Sequence, residues 1–267
     1  MHLARPGRAR LTDRQDGRVP GNLSRPGASV TSRVFALLGA FDVEHRALTA
    51  SELGRRSGLP SATAHRLATE LVALGGLERS GNTYVVGRRV WDLGLLVPVQ
   101  AELRQVAAPF LQDLYAATQA TVHLAERDGR EALYLDRLSG RATVPVVSRV
   151  GGRLPLHATG VGKVLLAHAP EDVQRAVLAD LARITPATVT RPGLLRDQLE
   201  RARREGYAQT VDEMSAGACS VAVPVRRGGE VIAALGLVVP DLRRHRPRLV
   251  AALQVAAAGI GRSLSAG

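Results

Sequence analysis

The segment 160–163 (GVGK) carries the residue types of a phosphate-binding loop, in which backbone amides and a lysine hold phosphate groups. The complete pattern requires glycine at the position of His157 and serine or threonine at the position of Val164. The segment therefore departs from the nucleotide-binding pattern at two positions. The segment is better explained as the opening of a helix whose free amides bind a carboxylate, with glycine allowing the ligand to approach closely. A glycine turn that only packs this helix onto a sheet is the alternative.

The other reactive side chains do not form a catalytic or metal-binding set. Cys219 is the only cysteine and has no partner at ligand spacing, so an ordinary buried thiol is favoured over a nucleophile. The seven histidines contain no H-x-x-x-H pair, and His123 and His157 are interpreted as structural or pocket groups. Asp212 and Glu213 are adjacent, so on a strand they would point to opposite faces. We therefore expect no metal, no cofactor and no enzymatic activity.

The first elements that could position a functional side chain are three helices. Apolar residues recur with helical spacing from Ser29 onward. Thr49 and Glu52 then form a capping box at the start of a second helix, which ends in a tight turn at Gly58. A third helix begins near Ser61. Two helices joined by a short glycine turn indicate a helix-turn-helix unit.

The third helix presents one polar face. A rotation of 100° per residue places four side chains opposite its apolar face: Ala62, His65, Arg66 and Thr69. Two short strands follow around Ser80-Gly81-Asn82, which is typical of a hairpin. This order predicts a winged helix-turn-helix, whose helix fills the major groove of DNA. A three-helix module that contacts another protein is the alternative.

Composition and charge limit the class of protein. The chain has 267 residues, 45% of them hydrophobic, which is enough for one large domain or two small ones. The net charge of +12 favours a polyanionic partner, but Lys163 is the only lysine, and this arginine bias indicates coding bias. No apolar run approaches the roughly 20 residues of a membrane span. We therefore expect a cytoplasmic protein without a membrane partner.

The domain organisation follows from these patterns. Residues 1–28 are rich in arginine, proline and glycine, and predict a disordered basic arm, with a DNA-contacting arm as the alternative. The winged helix spans 29–90, a connector helix spans 91–108, and Pro109 kinks the helix that continues from it. The last domain spans 109–267. Its predicted strands cover 121–126, 131–138, 143–150, 221–225 and 231–239, with helices at 162–168, 170–181, 192–205 and 248–264. Strands paired as hairpins with helices between them imply an α+β fold with an antiparallel sheet.

Several segments together resemble a known family. In the first domain these are residues 29–34 (SVTSRV), 48–53 (LTASEL), 58–67 (GLPSATAHRL) and 84–87 (YVVG). They resemble the N-terminal domain of IclR-type transcriptional regulators. In the second half, residues 154–163 (LPLHATGVGK), 206–207 (GY) and 220–225 (SVAVPV) look like the landmarks of the family's effector domain. The resemblance covers the chain from Ser29 onward, in matching order and spacing.

The resemblance implies a double-stranded DNA operator and a small-molecule effector. It implies a homodimer or a dimer of dimers, with effector binding shifting the placement of two DNA-binding heads. The residues expected to contact DNA are Arg33, Ser61, Ala62, Thr63, His65, Arg66, Thr69 and Arg79. The second domain is expected to be a GAF-like effector-binding domain.

The resemblance also implies the effector site. Its expected lining is His123, Thr143, Val146, Gly160, Val161, Thr210, Ser220, Gly236 and Val238. Relatives that bind small oxoacids tend to present acidic and serine side chains where this chain has Thr210, Gly236 and Val238. A less polar pocket favours an aromatic or aliphatic acid, since unpaired buried polar groups are costly. Many relatives carry cysteine at the position of Ser220, so a thiol role for Cys219 is not expected.

The sequence and the resemblance together predict a transcriptional regulator controlled by an organic acid. Two other classes of protein are less consistent with the residues. A GAF-like metabolite-binding protein or enzyme could carry a helical domain that only dimerises. The polar face of the third helix, beside a hairpin, argues against this alternative, because dimerisation does not require such a face. Non-specific RNA binding is disfavoured because the chain lacks aromatic platforms for base stacking.

Overall fold

The computed structural model describes residues 29–42, 44–94, 96, 98–139, 144, 146–243 and 245–266. The predicted basic arm, residues 1–28, lies outside this range. The chain divides into two compact units, unit 1 ending at Val97 and unit 2 beginning at Pro98. The assignment of residues 91–108 to a connector stays a prediction.

Unit 1 has the winged helix-turn-helix arrangement that the sequence predicts. Its elements are α1 (Val30–Leu38), β1 (Ala47–Thr49), α2 (Ala50–Ser57), α3 (Ser61–Ala73), β2 (Leu77–Ser80), β3 (Thr83–Val86) and α4 (Arg88–Gly94). The strands form an antiparallel sheet in the order β1-β3-β2. Strand β1 was not predicted, because three residues are too few to show an alternating pattern.

Local chemistry explains how α2 and α3 are joined. The capping box is confirmed: the Thr49 amide donates to Glu52 Oε2 at 2.8 Å, and the Glu52 amide donates to Thr49 Oγ1 at 3.3 Å. Gly58 ends α2 with a φ of 69°, the left-handed conformation that glycine adopts without steric cost. A Cβ atom at Gly54 would lie 3.1 Å from the Leu59 carbonyl oxygen, so this glycine lets α2 approach the turn closely.

Unit 2 is an α+β domain around one antiparallel sheet. Its first half contains α5 (Pro98–Thr118), β4 (Thr121–Asp128), β5 (Glu131–Leu138), β6 (Arg153–Pro155) and α6 (Gly160–Ala167). Its second half contains α7 (Glu171–Leu178), α8 (Pro192–Glu205), β7 (Ala208–Val211), β8 (Cys219–Arg227), β9 (Glu230–Val239) and α9 (Arg246–Ala266). The six strands lie in the order β6-β5-β4-β9-β8-β7.

The two faces of this sheet are covered differently. On one face, large residues such as Val122, Leu235 and Val223 pack against α5 and α9. On the other face, small residues such as Ala125, Ala222 and Ala234 pack against α6 and its neighbours. Small side chains let a helix approach a sheet closely, so α6 lies near the strands.

Helix α9 is, among the described helices, the one that is long and apolar enough to cross a bilayer by length and composition. Leu253, Ile260 and Leu264 of this helix are buried in the core that α5 and the sheet also form. Its apolar character is therefore accounted for by packing inside unit 2.

The predicted strand over 143–150 is wrong in its described part. Residues 144 and 146–150 form a loop, and the third strand of the region is β6, which pairs with β5. Pro145 has no N–H for a strand ladder. The Ser148 carbonyl accepts a hydrogen bond from Arg137 Nη1 at 2.7 Å, so a side chain rather than a neighbouring strand holds this loop.

Candidate DNA interface and ligand pocket

The polar face of α3 is exposed, as predicted. Ala62, His65, Arg66 and Thr69 all lie at the surface. The Arg66 side chain is 65% exposed, and its nearest carboxylate oxygen, Glu70 Oε2, is 3.8 Å from Nη1. Such an exposed pair contributes little to stability, so Arg66 is available to another partner.

The other residues predicted to contact DNA lie on α3, α1 and β2. Ser61 is exposed in the first turn of α3, and Thr63 and Arg33 are half-buried. The N-cap of α3 is Pro60, which provides no side-chain acceptor for the first amides. Arg79 is exposed on β2 of the hairpin. An uncapped helix N-terminus is a ready site for a phosphate group.

A pocket lies between the start of α6 and the sheet of unit 2, and it encloses about 480 Å³, including its open mouth. Eight of the nine predicted effector residues line it: His123, Val146, Gly160, Val161, Thr210, Ser220, Gly236 and Val238. Thr143 lies outside the described residues. The sequence analysis did not assign the other lining residues to the pocket, among them Tyr134, Ser148, Leu154, Met214 and Ser215. Ser148, Met214 and Ser215 lie on loops, where no periodic pattern marks them.

Two glycines let the first turn of α6 lie directly on the sheet. A Cβ atom at Gly160 would lie 2.6 Å from Ser220 Oγ, and one at Gly236 would lie 2.8 Å from Val161 Cγ1. Neither position leaves room for a side chain. Gly236 is therefore required for helix packing. The lack of a polar side chain at this position is explained by packing, whatever ligand the pocket binds. A larger side chain at Gly160 would collide with Ser220 on β8.

Hydroxyl groups occupy part of the helix N-terminus. The Gly160 amide donates to Ser220 Oγ at 3.1 Å, and the Gly162 amide donates to Thr159 Oγ1 at 3.1 Å. The expectation that the amides of this turn are free is therefore wrong for these two. Within the described part of the chain, the Val161 amide is the one in this turn without an acceptor.

A second donor lies beside that amide. Ser220 Oγ is 2.6 Å from Thr210 Oγ1 and already accepts the Gly160 amide. The bond between the two hydroxyls uses one O–H, so the other O–H remains to donate. None of the described lining residues is Asp or Glu. This end of the pocket therefore offers neutral donors to an anionic oxygen without a repelling carboxylate.

The pocket also contains a neutral imidazole. His123 is buried, and its Nε2 lies 2.7 Å from Ser148 Oγ. Burial and the nearby Arg137 guanidinium lower the pKa of His123 to about 3. The imidazole therefore carries no charge at neutral pH and acts only as a hydrogen-bonding group.

A buried ion pair holds the loop that closes the pocket. Lys163 on α6 is 1% exposed, and its Nζ lies 2.6 Å from Glu213 Oε1 and 2.7 Å from Gln198 Oε1. Burial lowers the pKa of Lys163, and the Glu213 carboxylate partly offsets this. Met214 and Ser215, which line the pocket, directly follow Glu213. The lysine of the segment that resembles a phosphate-binding loop, Lys163, is thus a structural anchor. The sequence analysis did not recognise this role.

No group of three or more His, Cys, Asp or Glu side chains that could hold a metal ion occurs among the described residues. Cys219 is buried, and burial raises the pKa of its thiol.

A winged helix-turn-helix followed by a second domain that contains a pocket is an arrangement typical of DNA-binding transcriptional regulators. Family comparison agrees with this class. Residues 30–81 match the IclR helix-turn-helix domain, and residues 97–262 match the C-terminal domain of the bacterial transcriptional regulator IclR. The chain therefore belongs to the IclR family of DNA-binding transcriptional regulators.

Individual relatives are similar over most of their length. The chain is 33% identical to the transcriptional regulator XynR of Escherichia coli over 77% of this chain and 83% of XynR. It is 31% identical to KdgR of Escherichia coli over 88% of this chain and 93% of KdgR. An IclR homolog from Microbacterium hydrocarbonoxydans, crystallised with 4-hydroxybenzoate, is 41% identical with a TM-score of 0.86, covering 90% of this chain and 100% of that one.

We predict that Arg66→Ala weakens operator binding by about 1–3 kcal/mol, because an arginine paired with guanine contributes this much to discrimination. A gel-shift titration with the DNA upstream of the protein's own gene measures the effect. Arg196→Ala on α8 removes the same charge from an exposed site in unit 2 and serves as the control. Equal affinities for the Arg66 variant and the wild type would remove Arg66 from the interface.

We predict that Lys163→Met lowers the free energy of unfolding of unit 2 by about 3–5 kcal/mol, because it leaves Glu213 buried without a counter-charge. Adding Glu213→Gln recovers much of this loss. Urea denaturation gives the free energy of unfolding of the single and the double variant. Hydrogen exchange of the α6 amides shows whether the loss of stability is located at this helix. Arg130→Met breaks an exposed pair with Asp180 and should cost at most about 1 kcal/mol. A Lys163→Met protein as stable as this control contradicts the anchoring role.

Proposed function

We propose that the pocket binds a small organic acid, with an aromatic acid as the favoured class, and that its occupancy changes operator binding. The observation that carries this is the pair of neutral donors, the Val161 N–H and a free hydroxyl of the Thr210–Ser220 pair, at one end of the pocket. A carboxylate is a strong acceptor for such donors.

The walls of the pocket favour a ring over a very small acid. Val146, Val161, Val238 and Leu154 line it with aliphatic surface, and Gly236 provides a flat floor on β9. A ligand that fills this space removes apolar surface from water, which a very small oxoacid cannot do. The 4-hydroxybenzoate bound to the Microbacterium homolog supports the same class.

Ligand binding changes DNA binding only if the ligand has different affinities for the two states of the protein. The anchored loop after Glu213 and the first turn of α6 both line the pocket, so a bound acid contacts both elements. These contacts are where differential affinity would arise.

An enzyme is the alternative that one observation favours, because Ser148 and His123 form a hydrogen-bonded pair of the kind used in nucleophilic catalysis. The general base of such a pair needs a pKa near the working pH, whereas the pKa of His123 is about 3. The charged group beside it is Arg137, a cation, where a catalytic histidine needs a carboxylate. We therefore favour a binding role and no enzymatic activity.

A homodimer fits the surface of unit 1. Large apolar side chains are well exposed there, among them Phe35 at 71%, Trp91 at 66% and Leu96 at 74%. Exposed apolar side chains of this size mark interaction surfaces. A dimer, or a dimer of dimers, would present paired recognition helices to a pseudo-palindromic operator in the cytoplasm.

We predict that Val161→Pro weakens binding of benzoate by about tenfold or more, because it removes the one amide that donates to the carboxylate. The first helical turn tolerates proline. Val161→Ala shortens the side chain but keeps the amide, so it is the matched control. Calorimetric titration of the full chain measures the affinities, with melting curves to check folding.

Two results would contradict the proposed ligand class. One is benzoate affinity that is the same in Val161→Pro as in Val161→Ala. The other is a stronger thermal stabilisation by glyoxylate than by benzoate at equal concentration, since stabilisation follows ligand affinity.

We predict that Phe35→Ser shifts the monomer–dimer equilibrium toward the monomer, because it removes apolar surface that the dimer would bury. Sedimentation equilibrium measures this shift. Val255→Ser changes an equally exposed residue on α9, 72% exposed, and should leave the equilibrium unchanged. An unchanged dimer in the Phe35 variant places the interface elsewhere.

A further inference from the structure

The pocket has a second polar end that the carboxylate site does not use. His123 and Ser148 line it, and their bond joins strand β4 to the loop before β6. The edge of the His123 ring meets Tyr134 with ring centroids 5.0 Å apart and planes at 84°. Arg137 Nη1 fixes the other side of the pair by donating to the Ser148 carbonyl. The two polar groups are therefore held in place before any ligand binds.

The register of the sheet sets the distance between the two ends. His123 on β4 pairs with Gly236 on β9, and Gly236 pairs with Ala222 on β8. Ser220 is two residues from Ala222 on the same strand. Two strand spacings together with this two-residue step along β8 separate the Cα atoms of His123 and Ser220 by about 12 Å, which suits one ring with a hydrogen-bonding group at each end. Gly236, Val238 and Val161 provide an apolar surface between the ends.

The pair can bind a group that both donates and accepts. If the Ser148 hydroxyl donates to Nε2, then Nδ1 carries the hydrogen and is a donor. If Nε2–H donates to Ser148, then Nδ1 is an acceptor and the hydroxyl hydrogen is free. A hydroxyl group matches either arrangement. A second carboxylate does not match, because an ionised carboxylate only accepts hydrogen bonds and would leave the acceptor of either arrangement without a partner.

We propose that His123 and Ser148 determine ligand specificity by binding a hydroxyl group on the ring at the end opposite the carboxylate. Resting on the proposed function, this makes the ligand class a para-hydroxylated aromatic acid rather than aromatic acids in general. Arg137 is a positioning residue, because it fixes Ser148 and does not line the pocket.

Calorimetric titration of the full chain with four acids tests this. The four acids differ from 4-hydroxybenzoate at the hydroxyl group. Benzoate lacks it, 3-hydroxybenzoate carries it at the neighbouring ring position, 4-methylbenzoate has a methyl group in its place, and terephthalate has a carboxylate in its place. We expect 4-hydroxybenzoate to bind at least about tenfold tighter than benzoate. Bound benzoate would bury His123 and Ser148 without a hydrogen-bonding partner from the ligand. The other three acids should bind more weakly than 4-hydroxybenzoate.

Variants separate hydrogen bonding from shape. His123→Phe keeps an aromatic ring beside Tyr134 and removes both ring nitrogens, so the preference for 4-hydroxybenzoate over benzoate should fall to about one. His123→Gln restores a donor and an acceptor and should recover part of it. Ser148→Ala gives a second test that does not alter the ring. His168→Phe, at a half-buried histidine outside the pocket lining, is the matched control and should keep the wild-type preference.

The outcomes distinguish the two proposals. Equal affinities for 4-hydroxybenzoate, benzoate and 4-methylbenzoate in the wild type would overturn the hydroxyl site and leave the acid site standing. A preference that survives in both His123→Phe and Ser148→Ala, with normal melting curves, would also overturn it. Tighter binding of terephthalate would assign this end to an anion instead. Failure of all the acids to bind would overturn both proposals.

Discussion

The close contact between α6 and the sheet is the constraint on which the pocket depends. All eight residues of α6 are buried, including its lysine. Gly160 lies against β8 and Gly236 lies under Val161, so a side chain at either glycine would push the helix away. This contact brings the first turn of the helix within hydrogen-bonding distance of Ser220. The neutral donors at this end of the pocket exist only because the helix is this close.

The same contact explains why a charged pair is buried nearby. A helix packed on both sides leaves Lys163 no route to water, so its ammonium group needs an internal partner. Glu213 and Gln198 provide the acceptors, and Glu213 thereby fixes the loop that carries Met214. The packing of α6, the donors at its first turn and the loop beside the pocket are thus parts of one arrangement. A ligand in the pocket would contact both α6 and the loop that Glu213 holds.

The elements that depend on local chemistry could be predicted from the sequence. The capping box of Thr49 and Glu52, the left-handed Gly58 and the exposed face around Arg66 each follow from residues within a few positions of one another. The predicted pocket residues came from the family resemblance, and the structure brings eight of them together, seven on strands or α6 and Val146 on a loop.

Contacts between residues far apart in the chain could not be predicted from the sequence. Lys163 and Glu213 are 50 positions apart, and Ser148 is 25 positions from His123. Ser148 also lies in a segment whose β-branched residues favour a strand, although Arg137 holds it as a loop. The partial occupation of the helix N-terminus was missed for the same reason, since its acceptor Ser220 is 60 positions from Gly160.

Coupling between the pocket and the operator is tested most directly by a complete binding cycle on the full chain with 4-hydroxybenzoate and the upstream DNA. Operator affinity is measured with and without saturating ligand, and ligand affinity is measured with and without saturating operator. A regulator controlled through this pocket must show the same factor in both directions, typically about 5- to 150-fold. A ligand that binds tightly while both factors equal one would contradict control of DNA binding by the pocket.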